Sequence, residues 1–184
     1  MHRLGKFVRI RPAHIEDLDA IANLHANSWR IAYRGILSDE FLDNEVGADR
    51  LKAWQDKFNC AKNNQKIWVA EEGDDLAGFI CIYGDEHETL GTFIDNLHVA
   101  AAYQGQGIGR QLMHTVAEWV NHHCASKGLY LEVLADNQQA QRFYQSLAGK
   151  PVKSQWWQPP GDGEKVKEWL YVWQQADDVL QNFL

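Results

Sequence analysis

The chain is poor in the residues that staple or break a fold. Among 184 residues there are three cysteines and four prolines. Cys60, Cys81 and Cys124 are an odd number without CxxC spacing, which argues against both a disulfide framework and a zinc ribbon. No apolar run approaches the roughly 18 residues needed to span a bilayer, and MHRLGKFVRIRP lacks the apolar core of a signal peptide. Basic residues are also short: 18 Lys and Arg against 25 Asp and Glu give a net charge of −7 with no basic run. That lowers the prospect of a nucleic-acid partner and suits a cationic one such as an amine. The expectation is a cytoplasmic protein of one domain, residues 1–184, with no nucleic-acid or membrane partner and no metal. With 45% hydrophobic and 23% charged residues the composition is globular, and two features exceed the ordinary: eight tryptophans, and three glycines alternating within five positions.

The hydrophobic period changes along the chain. Residues 7–11 alternate and stop at Pro12, as in a short strand, and His14 to Ala26 carries helical spacing. The segment from Ser28 to Leu37 ends that helix and turns at Gly35. Helices are predicted to begin at Ser38 and to run from Ala48 to about Ala61, the latter on a stripe of Leu51, Trp54 and Phe58. Residues 67–70 and 76–83 then form a hairpin around Gly73, residues 84–91 a polar connection and residues 92–99 a further strand. A helix is predicted from about Gly107 to His123, with Ile108, Leu112, Val116 and Val120 four apart. A strand follows over 129–134, then a helix capped by Asp136 or Asn137 with Ala140, Phe143, Tyr144 and Leu147 on its face and Gly149 at its end. Strands at 152–157 and 166–173 flank a turn at 159–163, and a short helix can follow Ala176. The pattern reads as one mixed α/β domain.

The junction Gln104-Gly105-Gln106-Gly107-Ile108-Gly109-Arg110 follows a strand and opens a helix. Glycines there leave no Cβ between the backbone N–H groups and a ligand, and a helix N-terminus favours phosphate. No Lys-Ser/Thr follows, which excludes a P-loop; Arg110 stands where the dinucleotide fingerprint needs its third glycine. The remaining pattern, QxxGxG over Gln104, Gly107 and Gly109, resembles the pyrophosphate loop of the GNAT superfamily of acetyl-CoA-dependent N-acetyltransferases. Leu97-x-Val99 upstream and Asn137-x-x-Ala140-x-x-Phe143-Tyr144 downstream extend the resemblance across nearly the whole domain.

The resemblance implies a mostly antiparallel mixed sheet, splayed at the cofactor site, with helices on both faces. It implies acetyl-CoA held by Gln104 to Arg110, with Asn137 on the pantetheine arm and the backbone of Leu97, His98 and Val99 beside the thioester. The side chain of His98 is expected to pack on the opposite face. Tyr144 occupies the position of the acid that protonates the leaving thiolate. Two acids compete as the base, with water a third option. Glu132 stands twelve residues before Tyr144, as in members that acetylate protein N-termini; Asp95 is expected on the face of Phe93, Leu97 and Val99. Phe93 itself replaces the catalytic glutamate of several histone-type members, which removes that variant of the mechanism. Trp29 and Tyr33 on one helical face, and Trp156 on the far wall that it shares with Trp157 and the following loop, are the expected acceptor contacts. The acceptor implied is a small amine, a polyamine or a peptide amino group, and the family leaves room for a homodimer. The alternative is a non-catalytic acyl-CoA-binding sensor module on the same fold.

Overall fold

The computed structural model describes residues 8–160 and 164–181. Its centre is a run of strands too apolar to face water on either side. β2 (Gln65–Glu72) and β3 (Asp75–His87) form the hairpin, and eight consecutive residues of β3 are buried. A strand buried on both faces needs layers on both, and the chain supplies them. α1 (Leu18–Ala32) and α2 (Val46–Asn59) cover one face through Ile21, Ala22 and Trp54 against Val69, Phe79, Cys81 and Tyr83. α3 (Ile108–His123) covers the other through Ile108, Leu112, Met113, Val116 and Val120 against Trp68, Ala70, Ile80 and Ile82.

The remaining elements are β1 (Arg9–Pro12), β4 (Gly91–Val99), β5 (Leu129–Leu134), α4 (Gln138–Gln145), β6 (Lys150–Trp157), β7 (Val166–Trp173) and α5 (Asp177–Leu180). The seven-stranded sheet has the order β1-β2-β3-β4-β5-β7-β6. Pro12 is tolerated in β1 because that strand is an edge. All pairings are antiparallel except β4 with β5, which are parallel and in register at two positions alone, Thr92 with Leu129 and Phe93 with Tyr130. Beyond them the two strands part, and each keeps its pairing with its outer neighbour. The expected splayed, mostly antiparallel sheet with helices on both faces is therefore observed.

The parting begins from a very close approach. Gly91 has φ +84°, and a Cβ built there would lie 2.3 Å from the Gly128 carbonyl oxygen; one on Gly128 would lie 2.5 Å from that of Leu90. The Thr92 N–H donates to the Gly128 carbonyl at 2.9 Å across the same junction.

Several boundaries differ from expectation for local reasons. α1 continues past Ala26 to Ala32, because Trp29 finds buried partners in Leu37, Phe41, Leu42 and Val46. A π-helical turn, Phe41–Glu45, leads directly into α2, and Arg30 Nε caps the Leu42 carbonyl there at 3.0 Å. Residues 84–87, expected in a polar connection, extend β3, with His87 opposite Gly91. Ala148, not Gly149, takes the positive φ after α4 (+66°). Gly149 serves packing instead: a Cβ on it would stand 2.5 Å from Trp173 Cζ2. The turn expected at 159–163 lies in its last three residues outside the described ones, as does Phe7. Among the described residues no helix is long and apolar enough to cross a membrane.

Replacing Gly91 with alanine forces the β4–β5 junction apart and strains a positive φ. Urea denaturation of Gly91→Ala is expected to show a loss of about 2–4 kcal/mol.

Candidate active site

The parted strands open a cleft of about 1790 Å³, lined by α1, α2, β4, the glycine turn, β5, α4 and the end of β6. At one end the glycine turn delivers the chain into α3. Gly105 and Gly107 have φ +74° and +82°, and a Cβ on either would meet nothing within 4 Å, so this backbone faces open space. Gly107 is the N-cap of α3, and the first helical hydrogen bond is that of Gln111 N–H to the Gly107 carbonyl. The N–H groups of Ile108, Gly109 and Arg110 precede it and have no helical acceptor. An anion of pyrophosphate size fits this arrangement. Gly109 acts differently, since a Cβ there would press on Phe143 Cζ at 3.2 Å and the glycine lets α3 close on α4.

The side chains of the turn are tied back to the protein. Gln104 Nε2 donates to the Val99 carbonyl at 3.2 Å, Gln106 Nε2 to that of Ala102 at 3.0 Å, and Arg110 Nη2 to Ser146 Oγ at 2.9 Å. Asn137 caps α4 by accepting from the Ala140 N–H at 3.1 Å, which leaves its amide nitrogen free of protein partners among the described residues.

Tyr144 is 8% exposed and packs on Phe143, Tyr171 and Trp173. Its hydroxyl lines the cleft without a hydrogen-bond partner among the described residues. Burial pushes its pKa well above the usual tyrosine value, and the nearby Tyr33 adds to this, so the group stays protonated.

Asp95 occupies a bulge. Cys81 pairs with Asn96 and Ile82 with Ile94, so Asp95 has no partner on β3 and the alternation shifts by one. Phe93 accordingly packs toward α1 and α2, as does His98, whereas Leu97 and Val99 pack on the α3 side. The expectation that Asp95 shares the face of Leu97 and Val99 is corrected by this bulge. Its carboxylate accepts from Lys57 Nζ of α2 at 2.7 Å and from the Asn96 amide. Lys57 also donates to the Tyr83 hydroxyl at 3.0 Å.

Glu132 on β5 accepts from Gln155 Nε2 at 2.6 Å, and the same nitrogen donates to Glu168 at 2.7 Å. Glu168, on β7, is 6% exposed yet lines the cleft. Its pKa is raised, first by burial and then by the adjacent Glu132 carboxylate, with the Gln155 bond opposing. Sequence reading missed Glu168, although it is the lone acid in the run from Val166 to Trp173, which is apolar apart from it and Lys167, much the signal that marked Glu132.

At the other end Trp29 and Tyr33 stand 5.0 Å apart between ring centroids, and Trp157 approaches both, at 6.1 and 6.5 Å. Trp156, expected as an acceptor contact, is 68% exposed and absent from the cleft lining. Strand alternation turns the two tryptophans of β6 to opposite faces, and Trp157 takes the cleft. Arg50, seven residues before Lys57 on α2, lays its guanidinium carbon 4.1 Å from the Trp29 ring centroid. It too went unnoticed in the sequence, where it reads as one charge on a polar helix. Below lie His25 and His98, with rings 4.4 Å apart. His25 Nδ1 accepts from Trp54 Nε1 at 3.0 Å. Burial holds both histidines below their usual pKa, His98 at about 4; Arg50 lowers both, and His98 lowers His25.

The profile of the acetyltransferase (GNAT) family matches residues 19–149. The chain belongs to that family. A probable N-acetyltransferase of Mycobacterium tuberculosis is 28% identical over 141 residues, 75% of this chain and 77% of that protein. NAA60 of Arabidopsis thaliana in complex with acetyl-CoA has the same fold, at TM-score 0.68 and 20% identity over 91% of this chain and 98% of the other. So does an acetyltransferase structure from Salmonella typhimurium with acetyl-CoA, at TM-score 0.65 and 17% identity over 91% and 94%.

The buried histidines have folded-state pKa values below the unfolded value near 6.5. Their contribution to stability is complete above that pH and is lost as pH falls toward 4. Between pH 7 and 5, His98→Gln is expected to lose about 1 kcal/mol less unfolding free energy than the parent, read by urea denaturation at each pH.

Proposed function

We propose that this protein is an N-acetyltransferase that moves an acetyl group from acetyl-CoA to a primary amine by direct transfer within the cleft. The observation that carries the reading is Tyr144, a buried residue whose hydroxyl has no protein partner among the described residues, in a cleft that also holds an open glycine turn at a helix N-terminus. The acetyl-CoA complexes of the fold neighbours support the same assignment.

On this reading the backbone from Gly105 to Arg110 binds the pyrophosphate, with Gln104 fixing the turn to the end of β4. The amide nitrogen of Asn137 holds the pantetheine arm. Acetyl-CoA supplies an activated acyl group and a thiolate leaving group. The edge of β4 facing β5 beyond Phe93, which includes Leu97 to Val99, has lost its strand partner. Its N–H groups are available to the acetyl oxygen as negative charge builds there. Two protons leave the ammonium nitrogen as its bond to the acetyl carbon forms and the carbon–sulfur bond breaks. Tyr144 supplies the proton that the sulfur takes, so one proton is released overall.

Of the two candidate bases, Glu132 has the better claim. Asp95 is engaged by Lys57, and the pair Lys57–Asp95 braces α2 against the bulge. Glu132 has only an amide as partner and stands beside a second carboxyl, so no cation competes with the ammonium for it. A neutral amine, a polyamine and a peptide amino group all remain acceptors compatible with this chemistry.

The test is free-thiol release from acetyl-CoA across an amine panel. Tyr144→Phe keeps the ring packing and removes the proton; its kcat is expected to fall about a hundredfold with KM for acetyl-CoA nearly unchanged. Unchanged turnover in that variant would remove Tyr144 from the reaction, and binding of acetyl-CoA with no thiol release for any amine would replace the reaction by a binding function.

A further inference from the structure

The acceptor half of the cleft has two electrical poles separated by aromatic rings. The acidic pole is the carboxyl pair Glu132 and Glu168, on the neighbouring strands β5 and β7. A single neutral amide, that of Gln155, donates to both, so nothing there offsets their charge. Glu168 is buried and Glu132 beside it is exposed; a carboxyl pair with no cation among the described residues has one obvious complement, a ligand that brings one.

The basic pole is the wall made by α1 and α2. Lys57 is neutralised by Asp95 at 2.7 Å. Arg30 donates to the Leu42 carbonyl and the Asn27 side chain, neither of them anionic. Arg50 donates through Nε and Nη2 to its chain neighbour Asp49, while its Nη1 has no partner among the described residues. Three cations therefore face two carboxylates here, with Lys57 paired to Asp95 and Arg50 to Asp49; of the two guanidiniums, Arg50 is the one seated on the Trp29 ring in the cleft, with its Nη1 edge left over by Asp49. The two histidines beneath it are held neutral and offer no competing charge. Tyr33 and Trp157, 6.5 Å apart, lie between the poles.

We propose that the acceptor is a small zwitterion of the amino-acid type, its reacting amine against the Glu132–Glu168 carboxyl pair and its carboxylate against Arg50. This rests on the acetyl-transfer reading and narrows it. One proton of the bound ammonium passes to the carboxyl pair and the neutral nitrogen forms the bond to the acetyl carbon as the carbon–sulfur bond breaks; Tyr144 gives the sulfur its proton, the second proton of the nitrogen makes good that loss, and the products are the N-acetyl amino acid, free CoA and one proton. Arg50 takes no part in the bond changes and acts as a specificity residue. The overall charge of −7 suits a cationic partner such as an amine; the arrangement of charge inside the cleft adds a place for an anionic group.

The experiment compares matched acceptors: the free amino acids, their carboxamides, the corresponding decarboxylated amines, putrescine, and dipeptides with glutamate second, each followed by thiol release. Amino acids are expected to exceed their carboxamides and decarboxylated amines by roughly tenfold to a hundredfold in kcat/KM, mostly through KM. In Arg50→Gln that ratio is expected to collapse to within about threefold, and Arg50→Lys to restore part of it. Glu168→Gln is expected to lower kcat for every acceptor. A merely structural Arg50, propping Trp29, would lower kcat/KM for all acceptors alike and keep the ratio, which overturns the proposal. So does a preference for putrescine, for decarboxylated amines or for the dipeptides over amino acids, with acetyl transfer intact. Absence of thiol release with every acceptor, while acetyl-CoA still binds by calorimetry, overturns the acetyl-transfer reading and this proposal with it.

Discussion

The parallel contact between β4 and β5 constrains everything else in the molecule. Two strands that pair fully leave no groups to bind a ligand, and two that never meet leave the sheet in halves. Here Gly91 and Gly128 bring the backbones so close that no Cβ fits, pairing lasts through Phe93 and Tyr130, and divergence follows. The close approach anchors the sheet as one unit while the divergence frees a row of backbone groups on β4. That row ends where the chain turns through Gly105 and Gly107 into α3. A backbone edge and a helix N-terminus are thus set in one cleft by a single packing decision, which no side chain of the site has to maintain.

The floor and walls of that cleft depend on keeping charge in its place. His25 and His98 are buried beside Arg50, where a protonated ring would face a cation and, for His25, lose the bond from Trp54. They stay neutral and serve as aromatic packing under Trp29 and Phe79. The expectation that the His98 side chain packs away from Leu97 and Val99 agrees with its contacts. Tyr144 is a neutral donor for the same reason, since removal of water makes its phenolate costly.

Long periodic elements were legible in the sequence. The stripe Ile108, Leu112, Val116, Val120 is the buried face of α3, and the apolar run 76–83 is the most buried part of β3. What was not legible are features decided by pairing. The bulge at Asp95 arises from the register between β3 and β4, and a one-residue slip reverses which face a side chain joins. The same limit explains Trp156 and Trp157: adjacent tryptophans on an edge strand look equivalent until β7 fixes their register. Glu168 and Arg50 escaped because each becomes distinctive through its neighbours. An acid in an apolar strand is a solvated face or a buried site according to what stands opposite, and Gln155 and Glu132 decide that here.

The three acids near the cleft show how partners separate structural from reactive roles. Asp95 is held by an ammonium at 2.7 Å, an arrangement that ties the carboxylate to the brace between α2 and β4. Glu132 and Glu168 share one amide nitrogen, and burial, followed by the neighbouring Glu132 carboxyl, raises the Glu168 pKa against the Gln155 bond. An acid stabilised by a fixed cation neither needs nor attracts another; two acids left without one do both. On this ground the pair on β5 and β7, rather than the better-bonded Asp95, is the part of the cleft suited to receive an ammonium and its proton. Arg50, seated on Trp29 with its Nη1 edge unused among the described residues, stands across Tyr33 from it. The carboxyl pair that no cation holds and the guanidinium edge that Asp49 leaves open together describe the ligand.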